Sequence, residues 1–137
     1  MTRLQRFLLW FDGLIGCLAF GSGIALAITD GLGLPPGTLT SSPFSSYFWP
    51  GMILTFVVGG SHLLAAMMTV VSSRYAPEFL AVAGFGLLIW VMMEVFMIPE
   101  RSWMQLIFFA ASLVTLIATM RLIDTDSGRH GGGHAAR

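Results

Sequence analysis

The sequence predicts an all-α integral membrane protein, built as a four-helix up-down-up-down bundle with both termini in the cytoplasm. Of its 137 residues, 55% are hydrophobic and only 10% are charged. The hydrophobic residues fall into blocks, and a helix of about 20 apolar residues crosses a bilayer core of about 30 Å. The predicted membrane spans are residues 7–28, 50–72, 77–98 and 103–123.

The first span is expected to be a retained membrane anchor. Arg3 and Arg6 precede it, as basic residues precede the apolar run of a signal peptide. The run is longer than a signal peptide needs, however, and Asp12 interrupts its start. Small residues recur along this span in two adjacent stripes and allow neighbouring helices to approach closely. The first stripe, at four-residue spacing, is Gly13, Cys17, Gly21 and Ala25, and the second stripe is Gly16, Ala19 and Gly23.

The second span follows an external loop, residues 30–49, that is rich in Gly, Pro, Ser and Thr. The later part of this loop is aromatic, and Tyr and Trp prefer the level of the lipid headgroups. Two interpretations are open: an interfacial anchor for span two, or a lid or docking surface for a partner. The candidate surface residues are Pro43, Phe44, Tyr47, Trp49, Trp90 and Trp103.

Helix starts are marked at the later spans. Pro50 opens span two and Pro77 opens span three, since proline suits the first turn of a helix. Ser102 and Gln105 form the Ser-x-x-Gln pattern of a capping box at the start of span four. Small residues in spans two and four, Thr115 among them, favour a compact bundle and leave room for a homodimer contact.

The basic residues, all of them arginine, set the expected orientation. Cytoplasmic flanks of membrane spans are enriched in Lys and Arg. With the N-terminus inside, Arg101 is the only arginine outside. The six arginines then on the cytoplasmic side are Arg3, Arg6, Arg74, Arg121, Arg129 and Arg137.

Composition excludes several classes of function. The net charge is zero and no basic stripe occurs, so no nucleic-acid partner is predicted. We find no nucleotide-binding, zinc-protease or serine-hydrolase motif and predict neither enzymatic activity nor a cofactor. Residues 124–137 are polar and glycine-rich and are expected to form a disordered cytoplasmic tail. His130 and His134 in this tail are four residues apart, but the three glycines between them disfavour the helix that a zinc site of this spacing needs, so no metal is predicted.

Three ionisable residues fall inside the spans, where such residues are candidates for function. Asp12 shares a face with the second stripe, so it should point into the protein. It is either functional or an interfacial carboxylate paired with Arg6 or Arg121. His62 should also face inward, either as a structural hydrogen-bonding group or as a proton relay, ligand contact or metal ligand. Glu94 either pairs with Arg101 or Gln105 across the next loop, or carries a proton or cation, or anchors a headgroup.

The predicted spans place these residues at different depths. At 1.5 Å per residue, Asp12, His62 and Glu94 lie roughly 8, 15 and 24 Å from the cytoplasmic face. Gaps of about 8 Å are too long for direct proton transfer, so a relay would need ordered water.

Several of these segments resemble a group of small four-span bacterial membrane proteins, largely actinobacterial and functionally uncharacterised. The likeness rests on the Ser-Pro-Phe and Tyr47 segment, on Pro50-Gly51 and Gly59-Gly60, and on Trp90, Glu94, Ser102-Trp103 and Gln105. It implies a multi-pass protein of the bacterial inner membrane and no particular activity.

Three functional hypotheses follow. The favoured one is a non-enzymatic accessory or assembly subunit of a larger membrane complex, because the loops are short and small-residue faces are abundant. The second is a small dimeric proton-coupled transporter that uses Glu94 with His62 and Asp12. The third is an intramembrane redox or quinone-binding subunit around His62 and Trp90. The expected partners are the lipid bilayer and either another membrane protein or a second copy.

Overall fold

The computed structural model describes residues 1–131 apart from 36, 38, 41 and 99–101, and these residues contain helices and no strand. Each helix is long and apolar enough to cross a membrane, which confirms the predicted apolar helices. They are α1 (Arg3–Ile28), α2 (Phe48–Val70), α3 (Ala76–Met97) and α4 (Trp103–Gly131).

Helix α1 begins at Arg3, four residues before the predicted start at residue 7. The reason is a capping box that uses Thr2 as the N-cap. The backbone N–H of Gln5 donates to Thr2 Oγ1 at 3.1 Å, and the Thr2 N–H donates to Gln5 Oε1 at 2.8 Å. Both groups would otherwise be unsatisfied at the helix start, so the cap extends α1 by about one turn.

The predicted cap of α4 is present in a related form. The Ser102 N–H donates to Gln105 Oε1 at 3.3 Å, and Ser102 Oγ accepts from the N–H of Met104 at 3.2 Å. At its other end α4 continues to Gly131, eight residues beyond the predicted end at 123. The structure therefore differs from the predicted tail, because no glycine or proline interrupts the helix before Gly128. Residues 132–137, with His134, lie outside the described residues.

The helices pack so that consecutive ones run in opposite directions. α1 contacts α2, α2 contacts α3, α3 contacts α4, and α4 also contacts α1. One apolar cluster joins Leu8 from early α1, Ala65 from late α2, Leu80 from early α3 and Leu122 from late α4. A second cluster towards the other end includes Ile15, Val58 and Trp90.

Helix α2 changes its geometry along its length. It is α-helical over Phe48–Ile53, π-helical over Leu54–Gly59 and α-helical again over Gly60–Val70. The π segment begins where the backbone of α2 packs tightly against the backbone of α1. A β-carbon at Gly23 would lie 2.7 Å from the Gly51 carbonyl oxygen and 2.7 Å from the Thr55 nitrogen. The two backbones are therefore in direct contact at this level.

The loop between α1 and α2 is tied at its ends. The carboxylate oxygen Oδ1 of Asp30 accepts a hydrogen bond from the Tyr47 N–H at 2.8 Å. Gly31, with φ of 122°, lies under the Tyr47 ring, where a β-carbon would be 2.8 Å from Cδ2. This contact needs glycine, both for its backbone angle and for the absent side chain.

The two small-residue stripes of α1 have different environments. Gly16, Ala19 and Gly23 of the second stripe are buried, as predicted for a packed face. In the first stripe Cys17 and Gly21 are exposed, and a β-carbon at Gly21 would have nothing within 4 Å. Within the described chain the second stripe is therefore covered, whereas the first is open at Cys17 and Gly21 and half-buried at Gly13 and Ala25.

We expect Gly23→Ala to destabilise the protein by about 1–3 kcal/mol, because the added methyl group meets the backbone of α2. Gly21→Ala is the matched control on the same helix and should be neutral or slightly stabilising, since alanine favours helix. Unfolding by denaturing detergent in mixed micelles measures both. Equal effects of the two substitutions would contradict the backbone contact.

Candidate functional site

The most unusual feature of the interior is a direct contact between an acid and an imidazole. His62 Nδ1 on α2 lies 2.7 Å from Asp12 Oδ1 on α1, and both side chains are 0% exposed. Thr115 Oγ1 on α4 donates to the same carboxylate oxygen at 3.4 Å. Three helices therefore meet at one buried polar cluster, and the inward orientation predicted for Asp12 and His62 is confirmed.

Gly16 on α1 allows the two helices to come close enough for this contact. Gly16 lies one turn after Asp12, and a β-carbon there would be 2.9 Å from the backbone nitrogen of Leu63. Leu63 is next to His62, so α1 and α2 touch beside the pair. An aspartate side chain is short and reaches an imidazole on a neighbouring helix only when the two backbones are this close.

The predicted separation of Asp12 and His62 in depth is wrong. Asp12 lies nine residues after Arg3, the first residue of α1, and His62 lies eight residues before Val70, the last residue of α2. At 1.5 Å per residue these positions are about 13 Å and about 12 Å from the same end of the antiparallel pair. The predicted spans began α1 too late and ended α2 too late, which created the apparent gap.

Asp12 is also not paired with an arginine. Both Arg6 and Arg121 are exposed, whereas the Asp12 carboxylate is enclosed with His62. The pair carries no net charge when one proton lies between Asp12 Oδ1 and His62 Nδ1 and a second proton is bound to His62 Nε2. After loss of one proton it carries a charge of −1 in a region of low polarity.

Two atoms of the pair have no hydrogen-bond partner among the described residues, although both are buried: Asp12 Oδ2 and His62 Nε2. Such atoms are uncommon in proteins, because burial without a partner costs free energy. They are the points at which the pair could exchange a proton or bind a water molecule.

Other buried hydroxyl groups nearby are already satisfied within their own helices. Ser112 donates to the Phe109 carbonyl at 2.7 Å, and Thr119 donates to the Thr115 carbonyl at 2.7 Å. Thr115 is the exception, since its hydroxyl reaches Asp12 on another helix. In the sequence, Thr115 is recognisable only as a small packing residue. That its hydroxyl faces Asp12 and His62 follows only from the arrangement of the helices.

Glu94 is not part of this cluster. It lies on α3, half-buried, and its Oε1 accepts a hydrogen bond from the indole Nε1 of Trp90 at 2.8 Å. Gln105, one of its expected partners, instead caps α4, and Arg101, the other, lies outside the described residues. The structure thus joins Asp12 to His62 and leaves Glu94 with a partner on its own helix.

The aromatic candidates for a partner surface divide into exposed and buried groups. Trp49 and Trp103 are 60% and 73% exposed, and Pro43 is also exposed. Tyr47 and Trp90 are buried, at 7% and 8% exposure, so they contribute to the interior. Phe44 is half-buried.

Together, the helices and the buried pair indicate the class of protein to which the chain belongs. The chain has the candidate membrane-spanning helices of a multi-pass membrane protein, four of them within the described residues, with an ionisable pair enclosed between them. Among those residues no group of three or more His, Cys, Asp or Glu side chains could hold a metal ion.

Comparisons with protein-family models, curated proteins and solved structures produce no match to this chain. The resemblance to small four-span bacterial membrane proteins therefore remains a prediction.

We expect Asp12→Ala and His62→Ala each to reduce stability by about 1–3 kcal/mol, because each leaves the other buried group without its partner. The double variant should lose clearly less than the sum of the two. Unfolding in mixed micelles gives the three free energies and hence the coupling.

Ser112→Ala is the control, since it removes a buried hydroxyl that bonds only to its own helix. It should cost less than either variant of the pair. Strict additivity of Asp12→Ala and His62→Ala would show that the 2.7 Å contact contributes nothing to folding.

Proposed function

We propose that this protein is a non-enzymatic accessory or assembly subunit of a larger complex in the bacterial inner membrane, and that α1 carries the docking face. The observation that supports this is the open first stripe. Cys17 and Gly21 are exposed, and a β-carbon at Gly21 would meet no atom within 4 Å.

The second stripe provides an internal comparison. In lipid there is little hydrophobic force between helices, so association depends on close van der Waals packing, which small residues permit. The second stripe packs in this way against α2, with Gly23 at backbone contact distance from Gly51. The first stripe also consists of small residues and lies on the adjacent face of the same helix. A second helix of complementary shape could therefore pack on it.

The buried pair fixes the rotation of α1 about its axis, and with it the direction in which the first stripe faces. Asp12 bonds His62 on the packed side of α1, so rotation of α1 about its axis would break a hydrogen bond between fully buried groups. Such a break leaves ionisable groups without partners inside the protein and is costly. The first stripe is consequently held outward.

The arginine distribution supports an orientation with both termini in the cytoplasm, since six of the seven arginines then lie on that side. With the antiparallel order of the helices, the loop between α1 and α2 would face outward. Digestion of a C-terminal tag by protease outside sealed, right-side-out vesicles would contradict this orientation.

Affinity purification from the native membrane in a mild detergent tests the subunit proposal. We expect mass spectrometry to find one partner in a fixed ratio to the tagged protein. Gly21→Leu should remove that partner, because the larger side chain blocks the first stripe. Ala110→Leu is the matched control on α4, at an exposed small residue outside the first stripe and outside the apolar surface between α2 and α3.

The single cysteine separates a homodimer from a complex with another protein. Cys17 lies in the first stripe and is exposed, so mild oxidation in the membrane should link two copies if the stripe pairs with itself. A disulfide-linked dimer that is absent from Cys17→Ser would replace the subunit proposal with a homodimer. Recovery of the protein alone, with no linked dimer, would overturn the docking face altogether.

A second candidate function is favoured by the contact at 2.7 Å between Asp12 and His62: proton-coupled transport. Direct hydrogen bonding removes the gap that would block proton transfer between these two groups. In this proposal the Asp12–His62 pair carries the proton, and Glu94 is not required because it is hydrogen-bonded to Trp90.

Proton flux into vesicles containing the purified protein and a trapped pH-sensitive dye tests this candidate. We expect Asp12→Asn, which retains the size of the side chain, to abolish the flux, and Glu94→Gln to leave it unchanged. An absence of proton flux in the unmodified protein, or proton flux that persists in Asp12→Asn, would contradict proton transport through the Asp12–His62 pair.

A further inference from the structure

An apolar groove lies between α2 and α3, and neither residue of the buried pair lines it. Its volume is about 110 Å³, and its walls include Phe44, Ile53, Val57, Ile89, Met93 and Met97. Val57 and Ile89 are 54% and 63% exposed, so the groove is open at the surface that would face lipid. A groove with such walls accepts hydrocarbon and penalises any polar group that enters it.

A carboxylate is positioned beside this groove. Trp90 lines the groove, and its indole N–H holds Glu94 Oε1 at 2.8 Å. Glu94 follows Met93 and precedes Met97 by three residues, both of which also line the groove. The half-buried carboxylate is therefore fixed at the rim by a residue of the wall.

The rim lies near the end of a candidate span. Glu94 is three residues before Met97, the last residue of α3, which corresponds to about 4–5 Å along the helix axis. Phe44, from the loop that precedes α2, closes the groove at the same end. An acyl chain in the groove would thus have its headgroup close to Glu94.

The π segment of α2 supplies a further part of the wall. Val57 and Val58 belong to Leu54–Gly59, the segment in which α2 leaves α-helical geometry, and both line the groove. Short π segments within helices are rare and occur frequently at functional sites. This observation is independent of the position of Glu94.

From these observations we propose that the groove binds the headgroup-proximal part of one acyl chain of a membrane lipid whose headgroup carries a primary ammonium, with Glu94 as the acceptor for that ammonium. A primary ammonium matches a carboxylate in charge and donates hydrogen bonds. A quaternary ammonium has the charge without the donors, and an anionic glycerol headgroup is repelled. Phosphatidylethanolamine is accordingly preferred over phosphatidylcholine, and phosphatidylcholine over phosphatidylglycerol.

Quenching of tryptophan fluorescence by brominated acyl chains tests the proposal. The full chain with Trp10, Trp49 and Trp103 replaced by Phe retains Trp90 in the groove wall, and those three tryptophans are all exposed. It is reconstituted into phosphatidylcholine vesicles that contain the same mole fraction of one brominated lipid at a time. We expect brominated phosphatidylethanolamine to be enriched at Trp90 about threefold over phosphatidylcholine, as for a partly exposed charge pair.

Two variants separate the headgroup from the acyl chain. Glu94→Gln should abolish the preference for phosphatidylethanolamine and leave quenching by the three lipids equal. Gly86→Leu places a side chain in the groove and should reduce quenching by every lipid. Gly21→Leu, at an open glycine outside the groove, is the matched control and should change neither. Circular dichroism and detergent unfolding verify that each variant is folded.

Three results would overturn the proposal. The first is equal quenching of Trp90 by the three lipids when Glu94 is present, and the second is a preference for phosphatidylethanolamine that persists in Glu94→Gln. The third is a Trp90 that no brominated lipid quenches, which would mean that a second copy of the chain covers the groove.

Discussion

The close approach of α1 to α2 is the constraint on which the rest of the structure depends. Gly16 and Gly23 have no room for a β-carbon, so the two backbones touch at two levels. At that separation the short side chain of Asp12 reaches His62 at 2.7 Å. An aspartate and a histidine that are each fully buried would otherwise have no ionisable partner. Glycine packing and the polar pair therefore support one another.

This arrangement distributes the possible functions over separate surfaces. The packed side of α1 contains Asp12, the outward side carries the first stripe, and the far side of α2 borders the groove beside Glu94. Helix α2 takes part in both contacts: its π segment forms part of the groove wall, and His62 follows that segment by three residues. A change in α2 geometry would consequently alter the pair and the groove together, whereas the first stripe would be affected only through α1.

Local sequence patterns predicted the helices well and their ends less well. Ser102 and Gln105 form a capping pattern that predicts the start of α4. Thr2 and Gln5 form the same pattern, and it marks the start of α1 four residues before the predicted position. The error of four residues at α1 corresponds to about 6 Å and was enough to separate Asp12 from His62 in depth. The π segment has no pattern of its own, because its residues are the apolar ones of any membrane helix.

By itself, the sequence determined that the chain forms long apolar helices and that Asp12 and His62 face inward, because length, hydropathy and helical periodicity are local properties. Only the tertiary structure decided which inward residues meet. That outcome depends on how far one helix is shifted along its neighbour, and this shift is set by contacts between residues distant in sequence, such as Gly23 with Gly51. The same reason separates Glu94 from the pair and leaves the first stripe of α1 uncovered.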